Sequence, residues 1–168
     1  VKKYIVFMLT ALFLLSLQEA FFSRLSFYNI YFDIPMILII CIAMTLEDTE
    51  AFFIILFAGI VRDSMFPGIF GVNSIFYLLL FYLITRIQNK IYKEKVSIFI
   101  LIIIFSTLLK YVVYFVSFYI ASIKFNFIEM IKSTLLIEVI GNIILSRFIN
   151  NWIKRIYNSS FVQKDWKN

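Results

Sequence analysis

The chain is 168 residues long, 62% hydrophobic and only 15% charged, with a mean hydropathy of +0.94. Soluble domains are roughly 45–50% apolar, so a water-soluble domain of any size is excluded and an all-α integral membrane protein is indicated. The net charge of +6 is met by anionic membrane lipid without nucleic acid, and a chain with no His and a lone Cys41 has neither a transition-metal ligand set nor an internal disulfide.

At roughly 20 apolar residues per crossing, the length fits a single transmembrane domain, 1–168, organised as a six-transmembrane-helix bundle with short connections. The first span is expected over about 4–22. Val1-Lys2-Lys3 and the run from Tyr4 to Leu17 resemble a signal peptide, but Gln18-Glu19-Ala20-Phe21-Phe22 continues the run and no small-residue cleavage site follows. Residues 23–32 make an aromatic-rich connection whose Tyr28 and Tyr31 suit the headgroup level.

The second span, about 34–46, starts at Asp33-Ile34-Pro35, where a proline removes no helical hydrogen bond. At about 1.5 Å per residue it is short for a full crossing. The acidic turn Glu47-Asp48-Thr49-Glu50 caps the third span, about 50–64, whose dipole favours carboxylates at its start. The fourth span covers about 71–87 and is followed by a basic loop from Arg86 to Lys95. The fifth and sixth, about 96–121 and 127–153, are long enough to tilt, and a polar tail, 154–168, closes the chain.

Basic residues are retained on the cytoplasmic side of a membrane. Six spans put Lys2, Lys3, Arg86, Lys90, Lys93, Lys95, Arg147, Lys154, Arg155, Lys164 and Lys167 on one face, and only Arg24, Arg62, Lys124 and Lys132 on the other. Both termini are therefore expected to be cytoplasmic.

A charge inside a span needs a partner. If the last two spans form a hairpin turning near Lys124, Lys110 and Glu138 lie equally far from the turn and at the same depth. Glu138 and Asn142, four apart, share one helix face, and Gln18 and Glu19 approach from the first span. Such an intramembrane pair, Lys110 and Glu138, either locks helix packing or marks a site for a ligand or partner. Nothing catalytic accompanies it: the sequence has no His base, no nucleophile elbow, no phosphate-cradling glycine loop and no HExxH. Ser64, beside Asp63, reads as a cap or turn residue.

The stretch Gly59-Ile60-Val61-Arg62-Asp63-Ser64-Met65-Phe66-Pro67-Gly68-Ile69-Phe70-Gly71-Val72-Asn73 holds three of the four glycines and one of the two prolines. It is expected to join the third and fourth spans at a membrane surface, with Gly59, Asp63, Gly71 and Asn73 as one structural unit. Asp63 sits at the negative end of a helix dipole and needs donors, which the start of the fourth span and Asn73 can supply. Arg62, about 100° round the helix, is expected on another face, reaching the headgroups.

Together with Asp33-Ile34-Pro35-Met36-Ile37-Leu38-Ile39, Phe57-Ala58-Gly59-Ile60-Val61-Arg62-Asp63 and Pro67-Gly68-Ile69-Phe70-Gly71-Val72-Asn73, the chain resembles the MreD family of rod shape-determining membrane proteins. Pro35, Gly59, Asp63, Gly71 and Asn73 fall on the family's pattern, while Ile55 stands where the family often has a glycine. The resemblance implies a non-enzymatic scaffold of the bacterial inner membrane that binds no cofactor. It would bind the single-span protein MreC and help couple MreB filaments to peptidoglycan synthases. The family's bundle is also similar to the substrate-binding subunits of energy-coupling-factor transporters, which makes vitamin uptake the alternative. Those subunits dock through Ala-x-x-x-Ala on the first span. Here Ala11 is followed by Leu15, and only Ser16 and Ala20 give a small-residue spacing of that kind.

Overall fold

The computed structural model describes residues 2–22, 32–65, 69–88, 96–122 and 127–159. Tyr28 and Tyr31, the Pro67-Gly68 turn, the loop lysines Lys90, Lys93 and Lys95, the turn at Lys124 and the tail past Ser159 lie outside the described residues. Six helices form, and no strand occurs among the described residues. They are α1 (Lys2–Leu17), prolonged by a π-helical turn (Gln18–Phe22), α2 (Ile34–Thr45), α3 (Asp48–Met65), α4 (Val72–Gln88), α5 (Val96–Ile120) and α6 (Phe127–Tyr157).

The shortest helix is the central one. α2 reads IPMILIICIAMT, with no polar side chain before its last residue, and a helix that is apolar on every face has to be covered on every face. All ten residues from Ile34 to Ala43 are buried, and α2 touches each of the other five helices. Its 12 residues rise only about 18 Å, well short of the roughly 30 Å of hydrocarbon. Its start is fixed by Asp33, whose carboxylate accepts the Met36 N–H at 3.1 Å, with Pro35 in the first turn.

Around this pillar the helices are unequal. Among the described residues, three stretches are both long and apolar enough to cross a membrane: Lys3–Ala20, Val96–Ile120 and Ile131–Tyr157. α2 and α4 are apolar but shorter, and α3 carries Asp48, Glu50, Arg62 and Asp63. The outer faces of the long helices are apolar, as lipid contact requires: Leu136, Ile140, Ile144 and Phe148 recur every fourth residue along α6 and are all exposed. Two bounds depart from the sequence expectation. α6 runs on to Tyr157, past 153, because Lys154 and Arg155 in its last turn suit the helix's negative end. The first span does not stay α-helical to 22 but widens into the π turn at Gln18.

That turn has a purpose in the packing. The Gln18 amide donates to the Phe32 carbonyl at 2.9 Å and accepts the Ile34 N–H at 3.2 Å, so one side chain satisfies backbone groups where α2 begins. At the opposite end of the bundle, Lys3 Nζ donates to Glu50 at 2.5 Å and stands 5.1 Å from the centre of the Tyr157 ring. The starts of α1 and α3 and the end of α6 are thereby gathered at one end.

Candidate functional site

Two polar clusters lie at the end of the bundle where α2 and α4 begin and α3 finishes. The first is centred on Asp63. Its Oδ1 accepts the Asn73 backbone N–H at 3.0 Å and the Asn73 side-chain amide at 2.9 Å. Its Oδ2 accepts the Ser74 backbone N–H at 3.0 Å and the Ser74 hydroxyl at 2.5 Å. Both N–H groups belong to the first turn of α4, where no intrahelical partner exists and the dipole is positive. Asp63, badly placed at the end of its own helix, thus caps the next one.

Two glycines make this possible, in different ways. Gly71 precedes α4 with φ of +96°, a conformation that side chains other than glycine's rarely adopt. Gly59 lies one turn before Asp63 on the same face, and a Cβ there would stand 2.7 Å from the Ser74 Cα. The close approach of α3 and α4 at Gly59 is what carries Ser74 within reach of Asp63. Gly59→Ala is accordingly expected to cost about 1–3 kcal/mol, since backbone cannot swing aside as a side chain can. Thermal unfolding of the purified variant checks this, and an unshifted midpoint would contradict the close contact.

The second cluster is ionic and joins three helices. Lys110 of α5 donates to Asp33 Oδ2 at 3.0 Å and to the Glu138 carboxylate of α6. The second Glu138 oxygen accepts the Tyr111 hydroxyl at 2.7 Å, and that hydroxyl lies 2.9 Å from Thr134 Oγ1. Asn142, wholly buried, accepts the Asp33 backbone N–H at 2.9 Å and donates to Thr107 Oγ1 at 3.3 Å. Each ion has a counter-ion and each carboxylate oxygen a donor, the condition under which charges persist in an apolar interior.

Tyr114 connects the two clusters, and Arg62 lines a cavity beside the second. The Tyr114 hydroxyl donates to Asn73 Oδ1 at 2.6 Å, which ties α5 to the α3–α4 corner. Arg62 is not turned to the headgroups as its position next to Asp63 suggests: it is 93% buried, with Nη1 3.9 Å from Glu19 Oε1. The reason is the rotation of α3. Gly59 and Asp63 must face α4, and the neighbouring helix face, which carries Arg62, then points into the bundle. Beside the ionic cluster lies a cavity of about 380 Å³. Arg62, Asp33, Lys110 and Glu138 are in its wall, and the rings of Phe32, Tyr111, Tyr114 and Phe118 with Thr134 complete it.

Of the residues singled out in the sequence, the structure brings Gly59, Asp63, Gly71 and Asn73 together at the α3–α4 corner, and pairs Lys110 with Glu138. Pro35 stands elsewhere, in the first turn of α2 beside Asp33. Ser64, read as a cap or turn residue, bonds back to the Ile60 carbonyl of its own helix at 2.8 Å. Asp33 as a partner of Lys110, the inward Arg62, Ser74 and Tyr114 were not read from the sequence. Tyr114 and Thr134 had a signal, Tyr114 lying four residues after Lys110 and Thr134 four before Glu138. Among the described residues, no group of three or more Asp, Glu, His or Cys is placed to hold a metal ion.

A helical bundle with long apolar outer faces and an ionic cluster turned inward is a helical membrane protein. The sequence model of the rod shape-determining protein MreD matches residues 2–156, and the chain belongs to that family. Comparison with curated proteins and with solved structures gave no match.

Proposed function

We propose that the chain is a non-enzymatic scaffold of the bacterial cell-elongation complex in the inner membrane. It binds an MreC-like single-span protein and helps couple MreB filaments to peptidoglycan synthesis. The observation that carries this reading is the family match over residues 2–156, which makes rod-shape determination the family's role. The geometry supports it: the polar groups at the candidate site are tied to one another across five helices, a rigid core that leaves apolar outer helix faces for partners. Six crossings with both ends cytoplasmic belong to the same proposal, supported by the gathering of the start of α1 and the end of α6 at one end of the bundle.

Depletion in a rod-shaped host is expected to round or swell the cells, with the MreC-like protein lost from pull-downs of the complex. Normal cell shape with a vitamin requirement would instead favour uptake. A cysteine placed at Lys93 is expected to resist membrane-impermeant labelling in intact cells. Labelling from outside would overturn the orientation.

A further inference from the structure

The proposed scaffolding role makes no use of the cavity between α2, α3, α5 and α6. We infer that this cavity binds an ethanolamine phosphodiester, a zwitterion with one phosphodiester anion and one primary ammonium. Its volume of about 380 Å³ lies within the roughly 300–1,000 Å³ of small-molecule pockets.

The charges in its wall select the ligand. Arg62 and Lys110 are cationic, Asp33 and Glu138 anionic, and the four formal charges sum to zero. Glu19, one-third exposed and outside the wall, stands 3.9 Å behind Arg62. In a poorly solvated interior, an anionic or a cationic ligand would add a charge with no counter-charge, which such an interior disfavours. A zwitterion adds none. Its phosphate suits the Arg62 guanidinium, whose planar fork matches two phosphate oxygens. Its ammonium suits Asp33 and Glu138, which already accept N–H donors, from Lys110.

A primary rather than a quaternary ammonium follows from that last contact, because these carboxylates are arranged to receive N–H groups. Phe32, Tyr114 and Phe118 supply an apolar wall against which a glycerol backbone packs. The same uncharged-overall phosphodiester headgroup is available from phosphatidylethanolamine or from soluble glycerophosphoethanolamine.

The test is native mass spectrometry and thermal unfolding of the full-length protein in detergent. The probes are phosphatidylethanolamine, phosphatidylglycerol and phosphatidylcholine with identical acyl chains, and soluble glycerophosphoethanolamine. Phosphatidylethanolamine is expected to bind at least about tenfold more tightly than either other lipid, and the preference is expected to vanish in Arg62→Gln. Phe118→Trp, which narrows the cavity without touching an ion pair, is expected to weaken that binding about tenfold at an unchanged fold, and it serves if Arg62→Gln does not fold. Competition by millimolar glycerophosphoethanolamine would assign the site to a soluble ligand. Binding of the lipid without such competition would assign it to the bilayer. Equal binding of all three lipids, no binding of either ethanolamine compound, or unchanged binding in Phe118→Trp would overturn the inference. Cell shape enters none of these readouts, so the scaffold proposal stands or falls separately.

Discussion

Lys110→Met is expected to be the most damaging single substitution in the chain, lowering stability by about 3–5 kcal/mol and membrane abundance with it. The substitution removes one ammonium and leaves two carboxylates, Asp33 and Glu138, facing each other in a buried site. The loss spreads because Asp33 also caps α2 through Met36 and has its backbone held by Asn142, so the central helix and α6 loosen together. Removing the matching negative charges should undo much of the harm. Asp33→Asn and Glu138→Gln added to Lys110→Met replace the ions by neutral amides of nearly the same shape. The triple variant is expected to be more stable than Lys110→Met alone, with a coupling on the order of 1–3 kcal/mol. Thermal unfolding of the single, double and triple variants measures this directly. Strictly additive losses would show that the three charges do not act as a unit.

Asp63→Ala is the second, with an expected loss of roughly 3 kcal/mol from four hydrogen bonds to one carboxylate, fewer than their sum because water replaces some of them. Asp63→Asn should fall between alanine and the native residue. An amide can accept from Asn73 with its oxygen, but it turns an NH₂ toward the Ser74 N–H, where two donors face each other. Arg62→Ala also disturbs a buried charge, yet it leaves the cap of α4 intact. The order of membrane abundance is therefore expected to be native, Arg62→Ala, Asp63→Ala, read by immunoblot of washed membranes and by pull-down of the partner. Native levels and native partner capture for Asp63→Ala would show that the α3–α4 corner does not organise the protein.

Much of this architecture is written locally in the chain. The six helices follow from apolar runs punctuated by Asp33-Ile34-Pro35, by the acidic turn at 47–50 and by Gly71, each of which acts within a few residues of itself. The need of Asp63 for donors, and their source at the start of α4, follow from the dipoles of two consecutive helices joined by a short connection. The depth match of Lys110 and Glu138 needs only a hairpin with its turn near the middle. In each case the relation is between chain neighbours or between helices adjacent in sequence.

What the sequence could not convey is how the elements are rotated and nested. Nothing local says that the 12-residue α2 is the pillar rather than another crossing at the rim. Its apolar faces require cover, but which helices supply it depends on packing all six. The ion pair of Lys110 became a three-helix junction because Asp33, 77 residues earlier in the chain, begins that pillar at the same depth. Arg62 was misplaced for a related reason. Its direction is set by the contact of Gly59 with Ser74, and a difference of about 100° between adjacent residues gives a relative direction, not an absolute one. The cavity between Arg62 and Lys110 exists only because helices distant in sequence stop short of one another. Periodicity and capping act within a helix or across one turn, so they determine the parts, whereas rotation, nesting and empty volume belong to the assembled bundle.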